Sequence, residues 1–429
     1  MKIKLFKSID GLFNKNLNFK SLKKFKNLNL KKISLLGHGN SISGIPYCKQ
    51  SILLKINTKK EIFFDKKNKF IEVTGNYEAY AVHNYLQKKN FFFPSFPSYP
   101  NVTIGACIAN CTHGISPKYG VISDFVKEIK LFNPNFGYKT LSNNKNKKIF
   151  DLTIGGMGLT GIIVSAKLRV FKLNSTFIKI KENKKFLNIN DVYNFLKKKK
   201  YLYNQNNLFF NSDKKTFVIS RVSSGNFTKN EKIYKKLINR KINSIRLGIL
   251  NFVFFRFILE KLLLIKEYII RNKKKHINES FYPSNARLFY FNLMPKKFME
   301  HQVIIPHKYV KNFFSEFYSL FKNYSPSITL GHLKIFNGEG KYLQFNGKGL
   351  GLTLHFIINE KFEKFYKKFL SLNLKYSCKP NLYKNSFIEI NYVKQFYKND
   401  YIKFNEGIKS LNKKYHFVNR LFNSKNFYR

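Results

Sequence analysis

Between Tyr99 and Leu168 the chain alternates glycine, small and β-branched residues in a way that neither a helical stripe nor an ordinary strand produces. Three runs carry the pattern: YPNVTIGACIANCTHG (99–114), YGVISDFV (119–126) and FDLTIGGMGLTGIIVSAKL (150–168). Gly105 follows the β-branched Val102, Thr103 and Ile104, with Ala106 beside it. Gly155 and Gly156 follow Leu152, Thr153 and Ile154, and Gly158 and Gly161 come soon after. Glycine this dense inside apolar runs marks backbone that turns sharply or approaches something closely. Two readings fit the spacing equally well. One is a site where bare N–H groups meet a flat, phosphate-bearing molecule; the other is a set of loops and bulges in a β-rich core.

A chain of 429 residues can bury a large core and suggests two domains, and 44% hydrophobic content argues against global disorder. The net charge of +56 suits anionic partners, nucleic acid or lipid. Its lysines, however, occupy nearly every polar position, Phe, Ile, Asn and Tyr abound, and Trp is absent. That profile fits A+T-biased codon usage rather than a patch built for nucleic acid, which is not the expected partner. Cys48, Cys107, Cys111 and Cys378 form no CxxC pair and no zinc spacing with His, so they read as free buried thiols of a reducing cytoplasm. No uninterrupted apolar run follows the lysines of MKIKLFKSIDGLFNK, so a secretory signal is not expected.

Residues 1–30 carry little pattern, and LKKISLLGHGNSISG (30–44) reads as a strand feeding a glycine loop. SILLKIN (51–57) and KFIEVTG (69–75) alternate like paired strands, and YEAYAVHNYLQKKN (77–90) has a helical period. EIKLFNPN (128–135) reads as a strand and turn. After Lys172 the glycine density falls and ordinary amphipathic patterns take over. One piece there, LGILNFVFFRFILEKLLLIKEYIIRNKKKH (247–276), has a longest charge-free run of nine residues, Leu247–Phe255. That is too short to cross a bilayer. Arg256 and Glu260 are spaced to pair on a helix. The stretch reads either as a packing helix or as a surface that meets a membrane, with Lys273–Lys275 at the headgroups.

The glycine blocks, taken in order with GHGNSIS (37–43), resemble the flavin-binding half of the vanillyl-alcohol-oxidase (PCMH-type) family. Within it they most resemble the decaprenylphosphoryl-β-D-ribose 2′-oxidases and their bacterial relatives, from about residue 30 onward. The resemblance implies an α+β fold: a two-subdomain PCMH-type FAD-binding domain (1–172) and an α+β substrate, or cap, domain with an antiparallel sheet (173–373). A C-terminal segment (374–429) returns to the first, with Arg420, Phe422 and Ser424 in register. It implies FAD held by Gly37, His38, Gly39, Asn40 and Ser41, by Pro100, Val102, Thr103, Ile104, Gly105, Ala106 and Ala109, and by Gly156, Gly158, Gly161, Ile162 and Ile163. His113 and Gly114 would lie over its ring. Covalent relatives carry His where this chain has Asn40, so the flavin is expected to be non-covalent. His38 reads as a loop histidine and Asp124 as a structural acid.

FYPSNARLFYFN (281–292) and HQVIIP (301–306) resemble that group's substrate segments, with Gln302 on a family glutamine and Glu300 in place of another. Lys334 falls on a family lysine beside the substrate, while Gly351 and Thr353 in GKGLGLTLHFII (347–358) replace bulkier or more polar residues. In LKYSCKPNLYK (374–384), Tyr376 and Lys379 match, and Pro380 stands where the group has Asp. Lys379 would be the cation that stabilises the reduced ring. The catalytic set expected by resemblance is therefore Lys379, Gln302, Tyr376 and Lys334, with no metal. The implied reaction oxidises a secondary hydroxyl of a sugar-like, lipid-linked substrate to a ketone. A short-chain reductase is an expected partner, and the site is expected in the cytoplasm, peripheral at the inner membrane face. Two alternatives stay open. One is a soluble sugar-lactone or alditol oxidase, though such enzymes commonly carry the covalent His and a His-Trp-x-Lys motif absent here. The other is a basic binding protein on a decayed flavin fold.

Overall fold

The computed structural model describes residues 15–19, 32–41, 43–49, 51–198, 201–210, 218–241, 245–269, 273–286, 288–413 and 416–423. Helices and sheets are mixed, and the sheets divide the work. A small parallel sheet is centred on Lys32–Leu36, the strand expected to feed the glycine loop. Ile52–Ile56 and His416–Phe417 flank it, and Lys15–Phe19 lies beyond Ile52–Ile56. A five-stranded antiparallel sheet runs in the order Ile62–Asp65, Phe70–Thr74, Ile162–Arg169, Val126–Asn133, Gly137–Ser142.

The strands expected at 51–57 and 69–75 both exist, but they are not partners. Ile52–Ile56 pairs in parallel with Lys32–Leu36, whereas Phe70–Thr74 pairs antiparallel with Ile62–Asp65 and Ile162–Arg169. Alternation reports which faces of a strand differ, not which strand lies beside it. Against the five-stranded sheet pack helix Ala79–Lys88 and the short helix Ile104–Ala109, which the β-branched run at Val102–Ile104 did not advertise. Thr103 caps the second helix, its Oγ1 accepting from Ala106 N at 3.3 Å.

The later half is built on an eight-stranded antiparallel sheet. Its order is Lys274–His276, Phe177–Phe186, Val218–Phe227, Tyr203–Phe210, Ile328–Asn337, Lys348–Ile357, Phe298–Pro306, Lys379–Pro380. Period-two alternation sorts its faces. Met299, Val303, Ile305, Leu333, Leu352 and Leu354 pack beneath helices Ile189–Lys198, Val310–Tyr324 and Phe362–Lys375. Glu300, Gln302, His332, Lys334, Thr353 and His355 take the other face, where register sets His332 and Gln302 on either side of Thr353. The edge strand Lys379–Pro380 comes from beyond the boundary expected at residue 373. From there helix Ile390–Leu411 returns to the first half, packing Ile408 and Phe404 with Leu152 and Leu159. In the tail, Phe422 stacks on Tyr401 and Arg420 N donates to Ile45 O at 2.9 Å. Ser424 lies outside the described residues.

His83, His113 and His301 tie these layers together while uncharged. His83 meets Asn278 at 2.8 Å and its ring meets Tyr282 edge-on. His301 meets the Tyr366 hydroxyl at 3.1 Å. Burial pushes His83 down to about 4, and His113 and His301 down to about 3. The unfolded chain therefore binds protons first as pH falls below about 6.5, and stability is lost progressively from there toward pH 3. The thermal midpoint should fall in that window, each histidine adding a slope on the order of 1 kcal/mol per pH unit. His301→Phe should flatten the slope in a pH series of melting curves.

Candidate functional site

The loop after Lys32–Leu36 has two glycines where a side chain would obstruct. A Cβ on Gly37 would sit 3.0 Å from Thr103 Oγ1 and 3.3 Å from the Ala106 methyl, and Gly39 has φ +73°. The loop is held from outside rather than by its own turn. Asn40 Nδ2 donates to Asn101 O at 2.6 Å, and His38 Nδ1 lies 2.9 Å from Asn101 Oδ1. Glu78 anchors the other end, 2.5 Å from Lys60 Nζ and 3.7 Å from His38 Nε2. These contacts leave the side chains of His38 and Asn40 occupied with scaffolding and their backbone facing inward.

Loop, short helix and the Gly158–Ile163 turn enclose a cleft of about 350 Å³. Of the residues expected to hold a cofactor, Gly37, His38, Gly39, Asn40, Ser41, Val102, Thr103, Gly105, Ala106, Ala109, Gly158, Gly161, Ile162 and Ile163 line it. Three do not. Ile104 is fully buried on the core side of its helix. Pro100 is buried, its carbonyl accepting from Tyr80 N. Gly156 is a packing glycine, since its Cβ would meet Leu152 O at 2.0 Å. Sequence reading missed Asn57, Asn76, Val418 and Asn419 in the lining. Asn57 and Asn76 follow strands and read as ordinary turn residues, and Asn419 arrives from the far end of the sequence.

Beyond Ala109 the chain turns through Cys111 to His113 and Gly114, which lie against the polar face of the large sheet instead of in the cleft. His113 is neutral, pushed down to about 3 by burial and then by the Lys334 charge. Its Nδ1 faces Gly114 O at 3.2 Å, so Nδ1 carries the proton and Nε2 accepts from Gln302 Nε2 at 3.0 Å. Gln302 is the hub of this group. Its Nε2 also donates to Thr353 Oγ1 at 2.9 Å, its Oε1 accepts from Asn381 Nδ2 at 2.6 Å, and its N–H donates to Asn385 Oδ1 at 2.8 Å. Asn381 and Asn385 carried no sequence signal beyond a polar stretch.

Lys334 Nζ donates to Gly114 O at 2.5 Å and lies 5.0 Å from the Phe336 ring centroid. Burial lowers its pKa to about 7, against a weaker upward pull from Asp124. Asp124 itself accepts from Val121 N at 3.0 Å, holding the turn that backs His113. Lys379 is half-buried like Lys334, 5.4 Å from the Tyr397 ring centroid and close to Cys111, its pKa also lowered by burial. Among the described residues no carboxylate lies within ion-pair distance of either ammonium.

Tyr376 does not join this group. It ends helix Phe362–Lys375, donates to Glu316 Oε1 at 2.5 Å and packs on Tyr309 and Phe313 at the helical layer. The turn at Ser377, with φ +51°, separates it in direction from Lys379. Gly351 has its own reason: a Cβ there would lie 2.5 Å from the Phe336 ring, which takes the space.

Residues 21–137 match the family described as FAD binding domain. The cleft fits that cofactor: Gly37, where a Cβ would crowd Thr103 and Ala106, and Gly39, with φ +73°, keep the Gly37–Ser41 loop open to the cleft as the element to hold a diphosphate, whereas the amides of Ile104, Gly105 and Ala106 are spent within the protein. D-arabinono-1,4-lactone oxidase of Candida glabrata is 30% identical over 115 residues, 26% of this chain and 22% of its own length. The Saccharomyces cerevisiae protein of the same name is 27% identical over 125 residues, 26% of this chain and 24% of its own. Mitochondrial D-lactate dehydrogenase (cytochrome) of Arabidopsis thaliana is 34% identical over 98 residues, 21% of this chain and 17% of its own. The chain thus spans about a quarter or less of these curated relatives.

Filling the cleft without disturbing the core should separate FAD binding from folding. Ala106→Leu should keep the wild-type melting temperature of the FAD-free protein and weaken FAD binding about tenfold or more, or about 1.4 kcal/mol. Flavin fluorescence titration measures it.

Proposed function

We propose that this protein is an FAD-dependent oxidoreductase acting on a CH–OH group, and that its substrate is a sugar-like secondary alcohol of the polyprenyl-phosphoryl pentose type. One observation carries the reading. The turn Asn110–Gly114 runs from the end of the FAD cleft straight into a polar group with two lysines whose pKa values are lowered by loss of solvent. Bound FAD would supply the acceptor for the hydride of the carbinol carbon. The chain's part is to hold the hydroxyl and remove its proton.

Lys334 is suited to that proton. An amine with a pKa of about 7 is free base over much of the neutral range, and it needs no ion-pair partner to be displaced. His113, kept neutral, and Gln302, fixed by Thr353, Asn381 and Asn385, can orient a sugar hydroxyl without competing for the proton. Lys379 supplies the cation that balances charge on the reduced cofactor. The resemblance to decaprenylphosphoryl-β-D-ribose oxidases supports the lipid-linked substrate, with a short-chain reductase as the enzyme that would take the ketone. The lactone oxidases among the relatives favour a second reading, a sugar-1,4-lactone or alditol oxidase. Because those matches cover so little of either chain, their substrates do not transfer with the FAD domain.

Anaerobic bleaching of the flavin by polyprenyl-phosphate sugars, sugar lactones and alditols tests the reading and separates its two forms. With the active substrate, the bleaching rate should rise with pH through about 7, as Lys334 loses its proton. Lys334→Met should slow bleaching by roughly 100-fold or more and abolish the rise. A pH-independent wild-type rate would remove Lys334 as the base.

Asn40 cannot form the covalent link that a histidine makes, so the flavin is expected to be non-covalent. Acid precipitation should leave a colourless pellet and a yellow supernatant; a yellow pellet would overturn this.

A further inference from the structure

Helix Val253–Ile269 lies within the 247–276 stretch, and it is half buried and half bare. Leu259 and Leu263 pack with Phe209, Phe291, Phe298 and Ile357 at the rim of the large sheet. The opposite side carries a concentration of exposed apolar side chains found nowhere else among the described residues. Phe252, Phe254, Phe257, Leu262, Ile265 and Ile269 are each 52–66% exposed. A soluble surface scatters such residues singly; a contiguous run marks a face that meets something apolar.

Charge decides what that something is. Both acids of the helix turn inward: Glu260 is 8% exposed, and Glu267 is 1% exposed and accepts from Gln205 Nε2 and Ser223 Oγ. The outward charges are cations, Lys261 and Lys266 on the helix and Lys273 just past it. Lys261 Nζ lies 4.8 Å from the Phe257 ring centroid, so its charge sits at the level of the apolar face. Lys261 also reaches the inward-turned Glu260, at 3.9 Å, while Lys266 and Lys273 stand exposed; an apolar face rimmed by exposed lysines is complementary to a lipid surface with anionic headgroups. A second copy fits poorly, because a symmetric contact would bring Lys261 and Lys266 against like charge. No described helix is long and apolar enough to cross a membrane, so the helix would lie in the surface plane.

We propose that the face formed by Phe252–Ile269 docks this protein on an anionic lipid bilayer, with the aromatic side chains inserted among the acyl chains. The experiment uses the absence of tryptophan from the chain. Phe257→Trp gives the full-length, FAD-loaded protein a single reporter on this face. Vesicles of phosphatidylcholine containing phosphatidylglycerol should sediment the protein and shift the Trp emission to the blue, while phosphatidylcholine alone should do neither. Phe254→Asp with Ile265→Asp should abolish sedimentation and shift; Phe63→Asp, an equally exposed phenylalanine of the five-stranded sheet, should leave both unchanged. Sedimentation without a shift would mean that the general positive charge binds elsewhere, and would overturn the proposal. So would failure to sediment, or a concentration-dependent blue shift without vesicles, which would assign the face to a second copy.

Discussion

The first half of the molecule depends on a place where three backbones touch. Gly75 N donates to Val164 O and Gly105 N donates to Gly75 O, both at 2.7 Å. A Cβ on Gly75 would lie 1.9 Å from Ile163 O. This contact fastens the start of the capped helix to the end of one strand and the beginning of another. Without it, the Thr103–Ala106 turn would have no fixed place relative to the Gly37–Ser41 loop. The cleft is therefore shaped by main chain, with side chains such as His38, Asn40 and Glu78 acting as braces behind it.

The second half uses the opposite strategy. Its polar face is made of side chains, sorted by the pleat of antiparallel strands and locked into one network around Gln302. Three partners orient its side-chain amide, a fourth holds its main-chain N–H, and the amide orientation agrees with the histidine tautomer set by Gly114 O. Burying two lysines nearby is unfavourable for both as cations. That cost is what brings Lys334 close to neutrality, and it is tolerated because the surrounding cores are large.

Much of this was legible in the chain, and the misses have physical causes. The glycine blocks located the cleft because a bare backbone is a local property. Ile104 and Gly156 sit in the same blocks yet face away, since a helix or turn presents neighbouring residues to different sides. Lys379 and Tyr376 are three residues apart and read as one motif, but the left-handed turn at Ser377 sends them to different layers. Asn381, Asn385 and Asn419 were invisible because their roles come from long-range packing. The helix at Val253–Ile269 showed its apolar character in sequence, whereas the inward rotation of Glu260 and Glu267 is a tertiary fact.

The strand His416–Phe417 completes the parallel sheet beside Lys32–Leu36, and Val418 and Asn419 reach the cleft wall. The nucleotide-binding half is thus a single structural unit written in two separated passages, with the whole eight-stranded sheet between them. During synthesis on the ribosome, the early strands must wait for that intervening body to emerge before their last neighbour exists. Loading of FAD is then coupled to the arrival of residues 416–419, so a product stalled or clipped before them would present an unfinished sheet edge rather than a working cofactor site.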